Sequence, residues 1–141
     1  MIDARLNGAC ADTTTAANGL LYLSRADVEL ACQEVDPVAC VAHALTCHAA
    51  GEAELPNEAV LRWQPSGGGM ARTINMPGLI AGPVPILGTK IINASTENPS
   101  RGLPRAAGLT VLFHPVTARP EAIMQAANIS ALRTAAVSTL A

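Results

Sequence analysis

The residues of this sequence best placed to do chemistry are positive charges that lie inside apolar strands. Lys90 is the only lysine of the 141 residues, and it stands in the run Ile86–Ala94 among β-branched neighbours. Arg62 has a similar setting within Val60–Trp63. A cation in such surroundings must reach either solvent or an anionic partner, because burying an unpaired charge is costly. Lys90 is therefore predicted either to protect an edge strand from aggregation or to bind a carboxylate or carry a proton.

Arg62 and Arg133, taken one at a time, could each be either a surface charge or part of an anion-binding site. Arg62 could lie on a solvated strand face. Arg133 follows Asn128, the predicted cap of the last helix, by five residues, so it could support an anion site or lie on the surface. The remaining arginines of the strand and loop edges are predicted to be solvated: Arg72, Arg101, Arg105 and Arg119.

Cys40, His43 and Cys47 have the spacing i, i+3 and i+7, which places them on one face of a helix. Zinc accepts thiolate and imidazole ligands, but one helix rarely supplies three of them and no fourth ligand is evident. A Cys–His nucleophile pair would lack a group to orient the histidine. We therefore predict no metal site and interpret the three residues as the buried side of an amphipathic helix, with the cysteines reduced.

Helix start signals and apolar runs outline the secondary structure. Ser24 with Asp27 predicts a helix over 25–34 after a strand at 20–23, and Asp36-Pro37 predicts a second helix ending near Ala50. A third helix is predicted from Ile129. The predicted strands are 59–64, 70–76, 86–94, 109–113 and 121–125. This order indicates an α+β fold with two N-terminal helices packed on a mostly antiparallel sheet and a C-terminal helix. Residues 20–141 are the predicted domain, preceded by a disordered lead or expression remnant at 1–19.

Composition excludes several classes of protein. A formal net charge of −2 and three aromatic residues leave no basic surface for nucleic acid. The longest uncharged stretch, 73–89, is broken by prolines and is shorter than the ~18 residues of a membrane helix. The N-terminus has no basic start followed by an apolar block, so we expect a cytoplasmic protein without a secretory signal. The 27 alanines predict a core of little bulk, and hence a homodimer built through the strands.

Glycine-rich sequence occurs only at Gly67–Gly69, in a predicted hairpin turn with no helix after it. A dinucleotide pyrophosphate needs a glycine-rich turn that leads from a strand into a helix. The sequence therefore predicts no dinucleotide site in this chain.

A series of segments in order resembles a known family. They are LYLSRADVE, AVLRW, INMPG, GTKII, ENPSRGLPRA, LTVLFHPVTARPEAIM and ISALRTAAVSTLA. The arrangement resembles the N-terminal part of the ornithine cyclodeaminase/mu-crystallin family over residues 20–141, and within it the branch that makes 2,3-diaminopropionate. The sharpest element is the RTAA segment at Arg133–Ala136.

The resemblance implies a substrate-binding and dimerisation domain whose last helix leads into a Rossmann domain that binds NAD. It also implies that three cations hold the α-carboxylate of an amino acid, and these match Arg62, Lys90 and Arg133. Lys90 would lie beside the reacting carbon and is the catalytic candidate. The implied chemistry is oxidation of a Cα–N bond to an imine, followed by ring closure or by hydrolysis.

The Rossmann half, with the family's catalytic aspartate, is not in this sequence. The chain alone is therefore expected to be inactive and to bind no NAD, with a separate Rossmann segment as a conceivable partner. The alternative is a stand-alone amino-acid-binding or dimerisation module without catalysis. The last helix shows no stop signal, which fits either a natural terminus or a piece of a longer protein. Two departures from the family pattern are Ala118, where the family often has glycine, and the lack of an acidic residue in Met124–Asn128.

Overall fold

A seven-stranded sheet and three α-helices make up the described residues, 19–141 of a computed structural model. The predicted lead lies outside these residues except for Gly19. The strands are β1 (Leu21–Leu23), β2 (Ala53–Glu54), β3 (Ala59–Trp63), β4 (Ala71–Ile80), β5 (Ile86–Ser95), β6 (Ala106–Phe113) and β7 (Pro120–Gln125). The helices are α1 (Arg25–Ala31), α2 (Pro37–Ala49) and α3 (Ala127–Leu140), with short 3-10 turns at Cys32–Glu34 and Pro99–Arg101.

The strand order is β1-β7-β6-β5-β4-β2, and β3 pairs with the same edge of β4 as β2 does. Every pair is antiparallel except β1 with β7, where Tyr22 lies opposite Ile123. The predicted α+β fold with a mostly antiparallel sheet is confirmed.

The first two helices begin where the sequence predicted. The Ser24 hydroxyl accepts a hydrogen bond from the Asp27 N–H at 3.3 Å, and the Ser24 N–H donates to the Asp27 carboxylate at 2.8 Å. The Ser24 hydroxyl also donates to the Asp27 carboxylate at 2.6 Å. This bond and the one from the Ser24 N–H lower the pKa of Asp27 from its ordinary value, because they favour its ionised form. The Asp36 carboxylate caps α2 by accepting from the N–H groups of Val38 and Ala39 at 2.9 and 3.1 Å. Local capping chemistry is sufficient to start both helices.

The start of α3 was predicted wrongly. Asn128 is not the cap but lies in the first turn, and Ala126 occupies the cap position without a side-chain hydrogen bond. The Ala126 N–H donates to the Gly108 carbonyl at 3.0 Å, and Ala126 is fully buried. Docking of this residue on β6 sets the helix start, and such a contact leaves no local sequence signal.

Strand β4 continues to Ile80, four residues beyond the end of the predicted strand at Met76. Pro77 lies in a gap on the outer edge of β4, because β3 pairs only as far as Asn75 and β2 begins to pair at Leu79. A proline is tolerated where a strand edge has no ladder partner. The short β2 was not predicted, and β6 begins three residues before the predicted start at 109.

All three helices lie on one side of the sheet. Both α1 and α2 pack against α3, and α2 and α3 enclose cavities with side chains of one sheet face. We call this the covered face, and its central positions include Met76, Gly78, Lys90, Ile92, Thr110 and Leu112. The opposite, open face carries apolar side chains at alternate positions: Tyr22, Leu61, Trp63, Leu109, Val111 and Ile123.

Small side chains dominate the buried core, as the alanine content predicts. The buried apolar residues are Val28, Cys47, Ala71, Ala122, Ala126 and Ala136. The predicted buried face of α2 is only partly correct: Cys47 is buried beside the His43 ring, but His43 and Cys40 are exposed. Cys32, Cys40 and Cys47 are free thiols. No helix within residues 19–141 is long and apolar enough to cross a membrane.

Candidate functional site

A cavity of about 550 Å³ between α3 and the covered face contains three positive charges. Lys90 enters it from β5, Arg72 from β4 and Arg133 from α3. Two of the three predicted site residues, Lys90 and Arg133, therefore meet in one cavity although they are 43 positions apart.

Small residues of α3 make this cavity possible. Ala127, Ser130, Ala131 and Thr134 follow the spacing i, i+3, i+4 and i+7, so one helix face lines the cavity. Gly108 of β6 lies beneath them, and a side chain there would collide with the backbone of β5 at the Ile91 carbonyl. The helix thus stands over the sheet without filling the space between them.

The pKa of Lys90 is lowered from its ordinary value, and three groups or effects contribute. Partial burial is the main cause, the positive charge of Arg133 is the second, and the carboxylate of Glu58 acts in the opposite direction. Partial burial and a like charge both disfavour the ammonium form. An anion bound between Lys90 and Arg133 would offset both effects and favour the charged form of Lys90. Sequence reasoning did not find Glu58, which precedes β3 in an irregular segment and carries no motif.

Arg62, the third predicted site residue, lies in a neighbouring cavity. The register of β3 and β4 puts Arg62 directly opposite Arg72, on the covered face. A second cavity of about 420 Å³ is lined by Arg62, Arg72 and Arg105. It shares Arg72, Ile92 and Ala106 with the cavity of Lys90, so the two cavities are adjacent.

Arg72 and Arg105 are exposed, as predicted, but they are not isolated surface charges. Together with Arg62, Lys90 and Arg133 they form what we call the cationic cluster. No carboxylate of residues 19–141 lies within 4 Å of the charged atoms of this cluster, in contrast to the Arg25–Glu29 pair on α1 at 2.7 Å. Glu58 acts on Lys90 from beyond this distance, so the cluster has five cations and no described carboxylate in direct contact, an arrangement suited to binding anions.

Lys90 also lines a third cavity, of about 480 Å³, between α2 and the sheet. Most of its other lining is apolar and includes Leu45, Leu55, Ile80 and Leu112. Lys90 thus lines both a cationic cavity and an apolar one. This arrangement can hold a carboxylate on one side and an aliphatic chain on the other.

The glycine-rich turn does not have the form of a dinucleotide site. Gly67–Gly69 have positive φ and form the turn between β3 and β4, in which the Gly68 N–H donates to the Pro65 carbonyl. The element that follows is a strand, whereas the pyrophosphate site of a dinucleotide fold needs a helix N-terminus there. Within residues 19–141 there is also no group of three His, Cys, Asp or Glu side chains that could hold a metal ion.

Comparisons with known proteins agree on one family. The family model described as ornithine cyclodeaminase/mu-crystallin matches residues 20–141. The N-((2S)-2-amino-2-carboxyethyl)-L-glutamate dehydrogenase of Staphylococcus aureus (strain NCTC 8325 / PS 47) is 41% identical over 126 residues, which are 86% of this chain and 38% of that protein.

Solved structures of two relatives have the same fold. The crystal structure of CmnK matches with a TM-score of 0.82 and 46% identity over 84% of this chain and 37% of that one. An archaeal alanine dehydrogenase dimer with bound NAD matches with a TM-score of 0.68 and 30% identity over 84% of this chain and 34% of that one. The chain therefore spans little more than a third of the length of these relatives.

Proposed function

Because the chain belongs to the ornithine cyclodeaminase/mu-crystallin family, we propose that residues 20–141 are the substrate-binding and dimerisation portion of an NAD-dependent amino-acid dehydrogenase. The observation that carries the proposal is the meeting of Lys90 and Arg133 in one cavity with no described carboxylate within 4 Å of either charge. The whole enzyme would oxidise a Cα–N bond of an amino acid to an imine. The relative from Staphylococcus aureus favours an N-substituted glutamate as substrate over a cyclising diamino acid.

In this proposal the α-carboxylate of the amino acid binds between Lys90 and Arg133, and Arg62 reaches it from the adjoining cavity. A guanidinium fixes the plane of a carboxylate with two parallel hydrogen bonds, whereas an ammonium supplies a compact charge. The lowered pKa of Lys90 makes it easier for this group to give up a proton, so it is suited to exchange a proton with the substrate near the reacting carbon. NAD would accept the hydride, and we assign the NAD site to a portion of the enzyme other than residues 20–141.

We also propose that two copies of the chain associate through their open faces. Tyr22, Leu61 and Trp63 are 49%, 62% and 45% exposed there, on strands that no described helix covers. These apolar side chains share the face with the uncharged polar side chains of Thr73, Asn75, Thr89 and Asn93. Exposed apolar side chains grouped on one face typically mark an interface. The archaeal relative with bound NAD is a dimer, which supports the same arrangement.

The carboxylate site is tested by thermal melts of the chain with and without L-ornithine or L-glutamate. We expect ligand to raise the Tm of the wild type, and Lys90→Gln and Arg133→Gln to lose most of this shift. Each removes a charge-assisted hydrogen bond worth about 1.5–3 kcal/mol, or at least tenfold in affinity. Lys90→Arg keeps the positive charge but changes the size of the side chain, so it shows which of the two properties ligand binding requires.

Arg101→Gln is the matched control, because Arg101 is exposed and lines none of the three cavities described above. It should show the same shift as the wild type. Equal ligand-induced shifts in the wild type and Lys90→Gln would contradict the assignment of Lys90 to the carboxylate.

A further inference from the structure

Lys90 is a primary amine that lines an apolar cavity on one side and shares a second cavity with the cation Arg133 on the other. We propose that Lys90 is also a nucleophile, which captures a 2-oxo acid by forming an imine between its Nζ atom and the carbonyl carbon. The inference rests on the proposed function in one respect, because the same carboxylate site would hold the 2-oxo acid. It goes beyond that function because it adds a covalent step that needs no NAD.

The first argument is the setting of the amine. A lysine becomes nucleophilic against apolar walls or beside another cation, because both disfavour its protonated form. Lys90 has both: the apolar cavity of about 480 Å³ includes Leu45 and Leu112, and Arg133 lies in the cavity of about 550 Å³. No described carboxylate lies within 4 Å of the Lys90 charge, and Glu58 favours the ammonium form only from a longer distance. The lowered pKa of Lys90 is consistent with this geometry.

The second argument is the position of Arg133. In a 2-oxo acid the carbonyl carbon is bonded directly to the carboxylate carbon. A ligand whose carboxylate pairs with the Arg133 guanidinium therefore presents its carbonyl carbon inside a cavity that Lys90 also lines. The small side chains of Ala127 and Ala131 form part of the same wall and leave room for the ligand. Oxidation of a Cα–N bond followed by hydrolysis leaves a 2-oxo acid, so the proposed enzyme would itself produce such a ligand.

The third argument is the presence of groups that can exchange protons. The neutral amine adds to the carbonyl to give a carbinolamine, and the hydroxyl of this intermediate leaves as water after it is protonated, so that C=N replaces C=O. Thr110 is the register partner of Lys90 on β6, and both residues line the apolar cavity together with His48 of α2. A hydroxyl and an imidazole can each donate and accept a proton. The step consumes no oxidant or reductant, and water is its only by-product.

Reductive trapping tests this inference, and its result is simple to assign because Lys90 is the only lysine of the chain. Sodium cyanoborohydride converts an imine to a stable secondary amine, which adds the mass of the ligand less one oxygen atom. The wild-type chain treated with 2-oxobutanoate should gain this mass at Lys90, as located by peptide mass spectrometry. Lys90→Arg should show no adduct at position 90.

Butan-2-one is the matched ligand, because it has a methyl group where 2-oxobutanoate has its carboxylate. Each labelling rate at Lys90 is divided by the rate in the same chain unfolded in guanidinium chloride, which removes the difference in intrinsic reactivity between the two ligands. The normalised rate should be at least about tenfold higher for 2-oxobutanoate, because only this ligand has the group that Arg133 holds. Equal normalised rates for the two ligands, or a rate with 2-oxobutanoate no higher than in the unfolded chain, would overturn the inference.

Two variants show whether the cavity causes the preference. Arg133→Gln should remove the advantage of 2-oxobutanoate over butan-2-one. Arg101→Gln, which alters an exposed charge outside the cavities, should keep it. The same loss in Arg101→Gln as in Arg133→Gln would count against a specific adduct.

A third ligand, 2-hydroxybutanoate, separates this inference from the proposed function, because it has the carboxylate but no carbonyl. If it raises the Tm of the wild type while 2-oxobutanoate leaves no adduct on Lys90, the imine is overturned and the carboxylate site stands. If neither ligand raises the Tm and no adduct forms, the carboxylate site and the imine are overturned together.

Discussion

The two faces of the sheet are built from alternate residues of the same strands, yet three cations lie on the face that the helices cover. In an antiparallel sheet with helices on one side, the covered face is ordinarily apolar and the other face polar. Here the covered face carries Arg62, Arg72 and Lys90 among apolar side chains, and the open face carries exposed apolar side chains together with uncharged polar ones such as Asn75 and Thr89.

The difference indicates that each face has a role besides packing into the hydrophobic core. Lys90 points to the covered face, and its strand neighbours Thr89 and Ile91 point to the open face. A shift of the strand by one residue would therefore put the Lys90 charge on the open face. The small residues of α3 leave a space between the helix and the sheet unfilled, and this space is the proposed anion site. The apolar side remains for another protein surface, and a second copy of the chain is the proposed one.

The largest expected effect is on the open face. Val111→Glu places a carboxylate in the middle of that face, between Thr89 and Ile123. Burying an unpaired charge in an interface costs several kcal/mol, so the dimer dissociation constant should rise by on the order of a hundredfold or more. Light scattering at micromolar concentration should give a monomer mass for the variant and a dimer mass for the wild type.

Val116→Glu is the control, because Val116 is 86% exposed in the turn before β7. It makes the same substitution away from both faces and should leave the dimer mass unchanged. Circular dichroism checks that Val111→Glu remains folded. A monomer mass for the wild type would contradict the assignment of the open face to a second copy.

A smaller effect is expected on the covered face without ligand. The pKa of Lys90 is lower in the folded chain than the ordinary 10.5, so between its folded pKa and 10.5 the unfolded chain binds more protons. Stability due to this group therefore rises with pH in that window, and the penalty for the charged form is fully present below it.

Lys90→Gln removes this penalty. The Tm of the ligand-free variant should be at or above that of the wild type near pH 7. The difference between the two should shrink as the pH approaches 10.5, as measured by melts over a pH series. A Tm for Lys90→Gln well below the wild type at pH 7 would indicate that Lys90 stabilises the empty fold instead.

The smallest expected effect is on the free energy of unfolding and concerns a turn that lies on neither face of the sheet. Ala118, in the turn between β6 and β7, has a φ of 56°, in the left-handed region that glycine adopts at less cost. Ala118→Gly should raise the free energy of unfolding by up to about 1 kcal/mol. Chemical denaturation measures this, while oligomer mass and ligand binding should be unchanged. A loss of stability would show that the flexibility gained by the unfolded chain outweighs the strain relieved.

Several features could be predicted from the sequence because their causes are local. Ser24 and the Asp36-Pro37 pair start their helices through hydrogen bonds and dihedral preferences that span three or four residues. The apolar alternation around Lys90 predicted both the strand and the unusual setting of its charge. The resemblance to a family then connected Lys90 with Arg133, which no local pattern does.

The tertiary structure alone decided which residues share a face across strands. The opposition of Arg62 and Arg72, the place of Arg105 in the same cavity and the parallel pairing of β1 with β7 all depend on register between distant segments. Asn128 was predicted as a cap because it has the right side chain, but the packing of Ala126 on β6 starts the helix earlier. Capping, turn and strand signals act over a few residues, whereas register and docking depend on the summed contacts of whole elements. Local sequence therefore determined the elements and the candidate charge, and long-range pairing determined the site around it.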